Sequence, residues 1–454
     1  MPVGRLLRAA GLALLGALLV AADAARALTI VRDTEIEEHV RAIADPILQA
    51  AGLVPEAVDL YLVKDDRLNA FVAGGQNLFL HTGLILRTVT PEQLAGVIAH
   101  EAGHIAGGHL TRQLVARDRA LGQMLIGAVL GLAAAAAGAP QLGTAILAGG
   151  ATVAQSGVLA FSRGQEQAAD QAAVDYLAAL QLPPRGLVEF FAILETQDLR
   201  IAGEGSVWRR THPLTRDRVV FLENKDESSP FRGRTLGAAR ARAHERARAK
   251  LDGFLGDPPR VLERWSGEGV PARIARAAAL HRQGELDASL ELARGLVAEQ
   301  PEDAFLHELL GQILFENGRI EAAVPPYRTA VALRPDAAQI RLGLARALLE
   351  LPGGKGTEEA VSLAREVTRA TPRDAGAFRT LGIALGRQGR VGPASLALAE
   401  AAVLTGNRRD AELHLGRARQ QIRADDPGWL RLQDLAREAE RLPEPREAEP
   451  RRRR

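Results

Sequence analysis

The sequence predicts a mostly α-helical chain in two parts, an N-terminal α+β domain with a small sheet and a C-terminal α-solenoid of tetratricopeptide repeats. Three observations carry that prediction. Val58–Val63 (VDLYLV) and Asn77–Thr82 (NLFLHT) alternate like strands within an otherwise helical first half. A helix-patterned stretch, Val97–Arg112 (VIAHEAGHIAGGHLTR), holds three of the ten histidines. Further on, Pro301 and Pro335 stand at the period of about 34 residues that marks paired-helix repeats.

The chain begins outside both parts. Arg5 and Arg8 precede an apolar run, Ala9–Ala22, and two A-x-A sites follow, of which Ala25-Arg26-Ala27 is favoured. That is the composition of a cleaved export signal over residues 1–27, with an uncleaved anchor as the alternative. The first domain is then expected over 28–260, the repeats over 265–440, and a disordered basic tail over 441–454.

Charge excludes one class of partner. The chain carries 57 basic and 55 acidic residues, and its pI of 9.2 suggests nucleic acid at first sight. Without the three Arg and one Asp of residues 1–27, 54 of each remain, and four of the basic ones are Arg451–Arg454. The folded body is slightly acidic, so no phosphate-binding surface is expected. With no cysteine, disulfides, thiol catalysis and a lipidated N-terminal Cys are excluded. Export would leave a periplasmic protein, soluble or attached peripherally.

Each element follows in order. Thr34 to about Leu60 is amphipathic and helical. Asn77–Thr82 is expected at a sheet edge, where Asn77, Leu78, Phe79 and Leu80 pair with an extended peptide substrate. Thr90, Pro91 and Gln93 are the residue types of a helix start with a capping box, and Leu94, Val97 and Ile98 give that helix a buried face. Ala120–Ser162 carries no charged residue and is rich in Ala and Gly. Two buried or lid-forming helices, with peripheral contact to lipid, are preferred there over two membrane spans. Asn224–Pro259 reads as a polar, Arg-rich connection with one helix leading out of the first domain. The best repeat units start at Ala304 and Ala375, with a short insertion around Pro352–Gly356 between them and weaker copies around Gly284 and Gly416.

His100, Glu101 and His104 form an H-E-x-x-H pattern, the signature of a zincin-like α+β metallopeptidase domain. On a helix the two histidines lie about 40° apart and can grip one ion. Zinc needs a third protein ligand. A metzincin would supply it in H-E-x-x-H-x-x-G-x-x-H, but that last position is Leu110, and His109 falls one residue short. If the helix continues, His109 lies about 180° from His100 and points away, to the surface or to a supporting role. Downstream, Phe161–Tyr176 (FSRGQEQAADQAAVDY) puts Glu166 and Asp170 on one helical face. Glu166 can complete a His-His-Glu site and Asp170 can hold a ligand histidine's other nitrogen. The alternative is an ordinary amphipathic helix with solvated acids.

HEAGH, SRGQEQAAD and THPLTRDR, in that order, together with NAFVAGGQNLFLHTGLI upstream, resemble the motifs of the CAAX prenyl protease and HtpX-like zinc metallopeptidase family. The likeness spans about Thr34–Leu255. It implies one Zn²⁺ per chain on His100, His104 and Glu166, with Glu101 as general base. It also implies roles for His212 and Arg218: either is a helper at the oxyanion, and His212 can fill the metal's open position and hold the enzyme latent. With the export signal and the repeats, the resemblance implies a periplasmic quality-control endopeptidase. Its substrates would be unfolded or misassembled outer-membrane proteins, with the repeats recruiting the assembly machinery or acting as a chaperone. A non-catalytic repeat adaptor and an integral membrane protease are the rival readings.

Overall fold

The structure is a computed structural model that describes residues 29–109, 163–200, 208 and 211–444. The expected export signal, the uncharged stretch Ala120–Ser162 and the expected tail beyond residue 444 lie outside the described residues. Among the described residues, no helix is long and apolar enough to cross a membrane.

Ile36, Val40, Ile43 and Ile47 recur at helical spacing, and this stripe buries helix α1 (Thr34–Ala50) in the first core. Asp33 caps it, accepting from the Ile36 backbone N–H at 3.0 Å. The sheet holds four strands in the order β1 (Ile30–Val31), β2 (Asp59–Val63), β4 (Asn77–His81), β3 (Ala70–Ala73). Leu62, Leu78 and Leu80 point into the core. On the other face Tyr61, Phe79 and Phe71 stack across three strands at 5.1 and 4.9 Å.

One expectation is overturned here. Asn77–Leu80 is a strand, but not an edge. β4 pairs in parallel with β2 on one side and antiparallel with β3 on the other, so its backbone is already engaged. The free edge on that side belongs to β3.

Helix α2 (Thr82–Arg87) leads into α3 (Pro91–Ala106), which carries His100 and His104. Gln93 reaches back to accept from the backbone N–H groups of Val89 at 2.6 Å and Thr90 at 3.4 Å, the return half of the expected capping box. A helix over 163–179 (α4), α5 (Arg185–Arg200) and α6 (Arg216–Glu227) complete the layer around α3.

Helix α7 (Ala238–Leu255) is the one helix expected in the polar connection. Its Ala247 and Leu251 belong to the first core, while Ala249 packs with Ala275 and Ala279 of the repeats. After α8 (Pro258–Arg264), five helix pairs follow: α9 (Val270–Gln283) with α10 (Leu286–Glu299), α11 (Ala304–Glu316) with α12 (Ile320–Leu333), α13 (Ala338–Leu349) with α14 (Thr357–Ala370), α15 (Ala375–Arg387) with α16 (Val391–Leu404), and α17 (Arg408–Arg419) with α18 (Trp429–Glu440). The insertion Pro352–Gly354 is a single 3₁₀ turn between α13 and α14. Ala323, Tyr327 and Ala330, read as packing positions of the repeat, are buried. The two parts are bolted together by Arg32–Asp374, Arg334–Glu38, Arg246–Asp303 and Arg373–Asp59 ion pairs.

A buried histidine pair ties α7 to the first domain. His244 Nε2–H donates to the Thr88 carbonyl at 2.7 Å, so its Nδ1 is free to accept from His39 Nε2–H at 2.9 Å. Burial, reinforced by His244 and Arg240, pushes His39 down to about 3; burial pushes His244 down to about 4 against the help of Thr88. Both rings stay neutral in the fold where the unfolded chain, near 6.5, takes up protons. Their contribution is complete above pH 6.5 and is lost as pH falls towards 4. Urea titrations at pH 7 and pH 5 are expected to differ by on the order of 3 kcal/mol on their account. A His39→Gln, His244→Gln double variant should be less pH-sensitive by that amount; an unchanged pH slope would contradict this.

Candidate metal centre

α3 is apolar around its histidines: Leu94, Val97 and Ile98 are fully buried, as are His100 and Glu101. Gly103 matters because of what crosses it. A Cβ there would lie 3.0 Å from the Ala169 backbone, tighter than ordinary packing, so glycine eases the close approach of α4 to α3. That approach brings Glu166 and Asp170 to the histidines.

One ligand atom each from His100, His104, Glu166 and His212 can be chosen so that all lie within 4.8 Å of one another. His100 Nε2 is 3.1 Å from His104 Nε2, 3.3 Å from Glu166 Oε2 and 3.4 Å from His212 Nδ1. His104 Nε2 is 3.4 Å from Glu166 Oε1, and His212 Nδ1 is 3.1 Å from that same oxygen. Tetrahedral zinc with bonds near 2.1 Å requires ligand-to-ligand edges of about 3.4 Å. The donor chemistry agrees with these distances. His100 Nδ1 lies 3.0 Å from Asp170 Oδ1, and if it donates there its Nε2 is left as a lone pair. That lone pair faces two more nitrogens and a carboxylate, an arrangement that hydrogen bonds alone do not satisfy and a cation does. With no cation, burial disfavours the His100 imidazolium, yet Asp170 and Glu166 outweigh it and lift the ring to about 9, so a proton takes the place on Nε2 that a metal ion would take, while burial drives His104 down to about 3. Glu166 sits well below the usual carboxylate range: burial opposes its charge, but His100, His104 and His212 prevail.

Glu101 stands apart. It is fully buried, and among the described residues neither carboxylate oxygen has a hydrogen-bond partner; His212 Nε2 lies 3.5 Å from Oε1. Burial raises its pKa above the ordinary glutamate value.

Arg218 lies among the carboxylates. Its Nε and Nη2 donate to Asp170 at 2.6 and 2.9 Å, and Nη1 reaches Glu166 Oε2 and the Pro213 carbonyl, both at 2.9 Å. It is 2 % exposed, beneath the Phe191 ring. With its donors committed in this way, Arg218 orients Asp170 and Glu166, which revises the expectation that it helps at the oxyanion.

Of the two places expected for His109, the structure has the supporting one. The helix does not continue past Ala106; Gly107 caps it and Gly108 takes φ +60. The chain therefore folds back, and His109 Nδ1 comes to 3.0 Å from His104 Nδ1, buried rather than on the surface. A Cβ at Gly107 would lie 2.5 Å from the His109 ring, so the two glycines permit the contact. Gly-Gly after the last apolar position was the signal that the helix stops. Two further residues went unread. Trp208 is fully buried and stacks on His212 at 4.4 Å, and the hint was an aromatic four residues before it on one helical face. Asn69, buried with Oδ1 unpartnered, immediately precedes the edge strand β3. Of the residues assigned to peptide pairing, Leu78 and Leu80 point into the core, Phe79 lies in the aromatic ladder, and Asn77 donates to the Gly74 carbonyl at 3.0 Å.

Convergent lone pairs beside an unpaired carboxylate, on helices packed around a small sheet, define a metallopeptidase, and comparison with known proteins gives the same class. Residues 31–226 match the model of peptidase family M48, and residues 311–351 match that of a TPR repeat. The chain carries an M48 peptidase domain ahead of tetratricopeptide repeats and is a metalloprotease. The β-barrel assembly-enhancing protease of Yersinia pestis is 26% identical over 387 residues, 83% of this chain and 78% of that protein. The protein of the same name from Escherichia coli is 26% identical over 352 residues, 74% of this chain and 69% of its own length. The metalloprotease LoiP of Escherichia coli is 25% identical over 201 residues, 42% of this chain and 71% of LoiP.

Proposed function

We propose that this chain is an exported zinc endopeptidase of the periplasm that cleaves misfolded or stalled outer-membrane proteins. The observation that carries the peptidase reading is the four-donor cluster with the buried, unpartnered carboxylate of Glu101 beside it. His100, His104 and Glu166 would hold one Zn²⁺, with Asp170 and Arg218 fixing their orientation. Zinc supplies Lewis acidity there and makes water a nucleophile near neutral pH.

Glu101 accepts the proton of the water that attacks the scissile carbonyl and returns it to the leaving amine. A substrate backbone adds to the free edge of β3, which lies against α3, by strand-to-strand hydrogen bonds. Backbone pairing is tolerant of side chains and suits unfolded chains. His212, with Nδ1 turned to the cluster, takes the fourth corner and keeps it closed until substrate displaces it. The outer-membrane assignment is supported by the relatives, whose names place them in β-barrel assembly, and the periplasmic one by the export signal at residues 1–27. The repeats would recruit an assembly partner or hold a client on their concave face.

Zinc stoichiometry and casein cleavage, measured side by side on wild type, Glu166→Gln and His212→Ala, test this reading. One zinc per chain is expected for wild type and His212→Ala, with altered cleavage by the latter, and a loss of zinc and activity for Glu166→Gln. Full zinc in Glu166→Gln would remove that residue from the site. His109→Ala should weaken zinc binding by about 10- to 100-fold through loss of support for His104. Competition with a chelator reads this, and an unchanged affinity would make His109 a packing residue only.

A further inference from the structure

The closed position of His212 is held from one side by a residue with an unusual environment. Trp208 precedes His212 by one helical turn, and the His212 N–H donates to its carbonyl at 2.6 Å. The two rings stack with centroids 4.4 Å apart and planes inclined by 29°. The indole is itself pinned by Phe190 of α5, edge-on at 5.2 Å, and leans on His100 at 5.7 Å. Despite complete burial, its Nε1–H has no acceptor, whereas Trp265 donates to Asp252 at 2.8 Å. A buried indole ordinarily finds a partner. Trp208 forgoes one in the pose that lays its face against His212.

We propose that Trp208 is a positioning residue that holds His212 in the fourth corner and so sets how readily the site opens. This rests on the reading that His212 occupies that corner. The stack favours the closed pose, while the unpaired N–H limits how strongly it is favoured, so a bound chain can displace the imidazole. Trp208 touches neither water nor peptide in this role. It acts through His212.

The test uses the full chain. In a Trp265→Phe, Trp429→Phe background, Trp208 is the one remaining fluorophore of three tryptophans. An imidazole stacked on the indole quenches emission, so adding His212→Ala should raise it. Unchanged emission overturns the stack. Acetohydroxamate, which needs the fourth corner, is then titrated against the zinc-loaded protein. Trp208→Ala should bind it about 3- to 10-fold more tightly, Trp208→Phe should stay within about twofold of wild type, and Trp208→Ala should add nothing once His212→Ala is present. An undiminished Trp208→Ala effect in the His212→Ala background overturns the coupling alone. Failure of His212→Ala to tighten binding overturns the fourth-corner reading beneath it. The emission arm needs no substitution of Trp208, so it stands even if Trp208→Ala does not fold.

Discussion

Glu101→Gln is expected to lower kcat/KM for peptide cleavage by about 10³-fold or more while zinc stays at one per chain, a loss within the range that removal of a positioned general base produces. The side chain lies between two ligand histidines on α3, fully buried, with both oxygens unpartnered. A structural carboxylate in that setting would have acquired hydrogen bonds, because an unpaired buried charge is among the least favourable groups a fold can hold. Burial also raises its pKa, bringing its proton affinity closer to that of a base working near neutral pH. Glutamine keeps the volume and removes the acceptor. The proposed ligands His100, His104 and Glu166 are untouched, so metal analysis separates a chemical defect from a binding defect. Glu101→Asp withdraws the carboxylate by one methylene and should fall between wild type and the glutamine variant. Cleavage by Glu101→Gln within tenfold of wild type would take the general-base role away from this residue.

Local pattern revealed elements, and it failed where the answer depended on what those elements meet. NLFLHT alternates, and β4 is a strand; that it lies inside the sheet follows from β2 pairing with it in parallel and leaving the short AFVA strand, β3, outside. Nothing in either segment encodes that order. The face shared by His100 and His104 is a property of helical spacing. The arrival of Glu166 sixty-two positions after His104 is not: helical spacing offers Glu166 and Asp170 on one face as candidates, resemblance to a family implies Glu166 as the ligand, and the close approach of α4 at Gly103 is seen only in the fold. His109 would point away only if the helix continued, and Gly107 and Gly108 end it. The repeats were legible because packing recurs at a fixed period and each unit restates the same small positions. α7 was legible only as a helix in a polar connection: composition does not say which charges have partners, and Arg246, Arg248 and Lys250 all reach across to other elements.

Lys250 is where those partnerships have their largest consequence. Its ammonium is 2 % exposed and lies 2.7 Å from Asp33, 3.2 Å from Glu308 and 3.5 Å from Glu35, joining the start of α1, α7 and the repeat helix α11. Burial works against its charge, but Asp33, Glu308 and Glu35 together hold it firmly protonated. Burial raises Glu308, with Asp33 and Glu35 adding to the effect and Lys250 opposing it. Lys250→Met keeps most of the apolar stem and leaves the carboxylates without their cation. Arg246 still serves Glu35 at 2.6 Å, so Asp33 and Glu308 bear the loss. Breaking a buried pair from one side destabilises by about 3–5 kcal/mol, and urea unfolding at pH 7 should show a loss of that size. The pH dependence has a definite sign. A carboxyl whose folded pKa is raised binds its proton more readily in the fold than in the unfolded chain, so the variant regains stability as pH falls through that raised value. The deficit against wild type should therefore shrink between pH 7 and pH 5. Adding Glu308→Gln to Lys250→Met should recover part of it at pH 7, since the amide is neutral at any pH. A loss under about 1 kcal/mol, or a deficit that grows on acidification, would show that the peptidase domain and the repeats are not joined through this ion cluster.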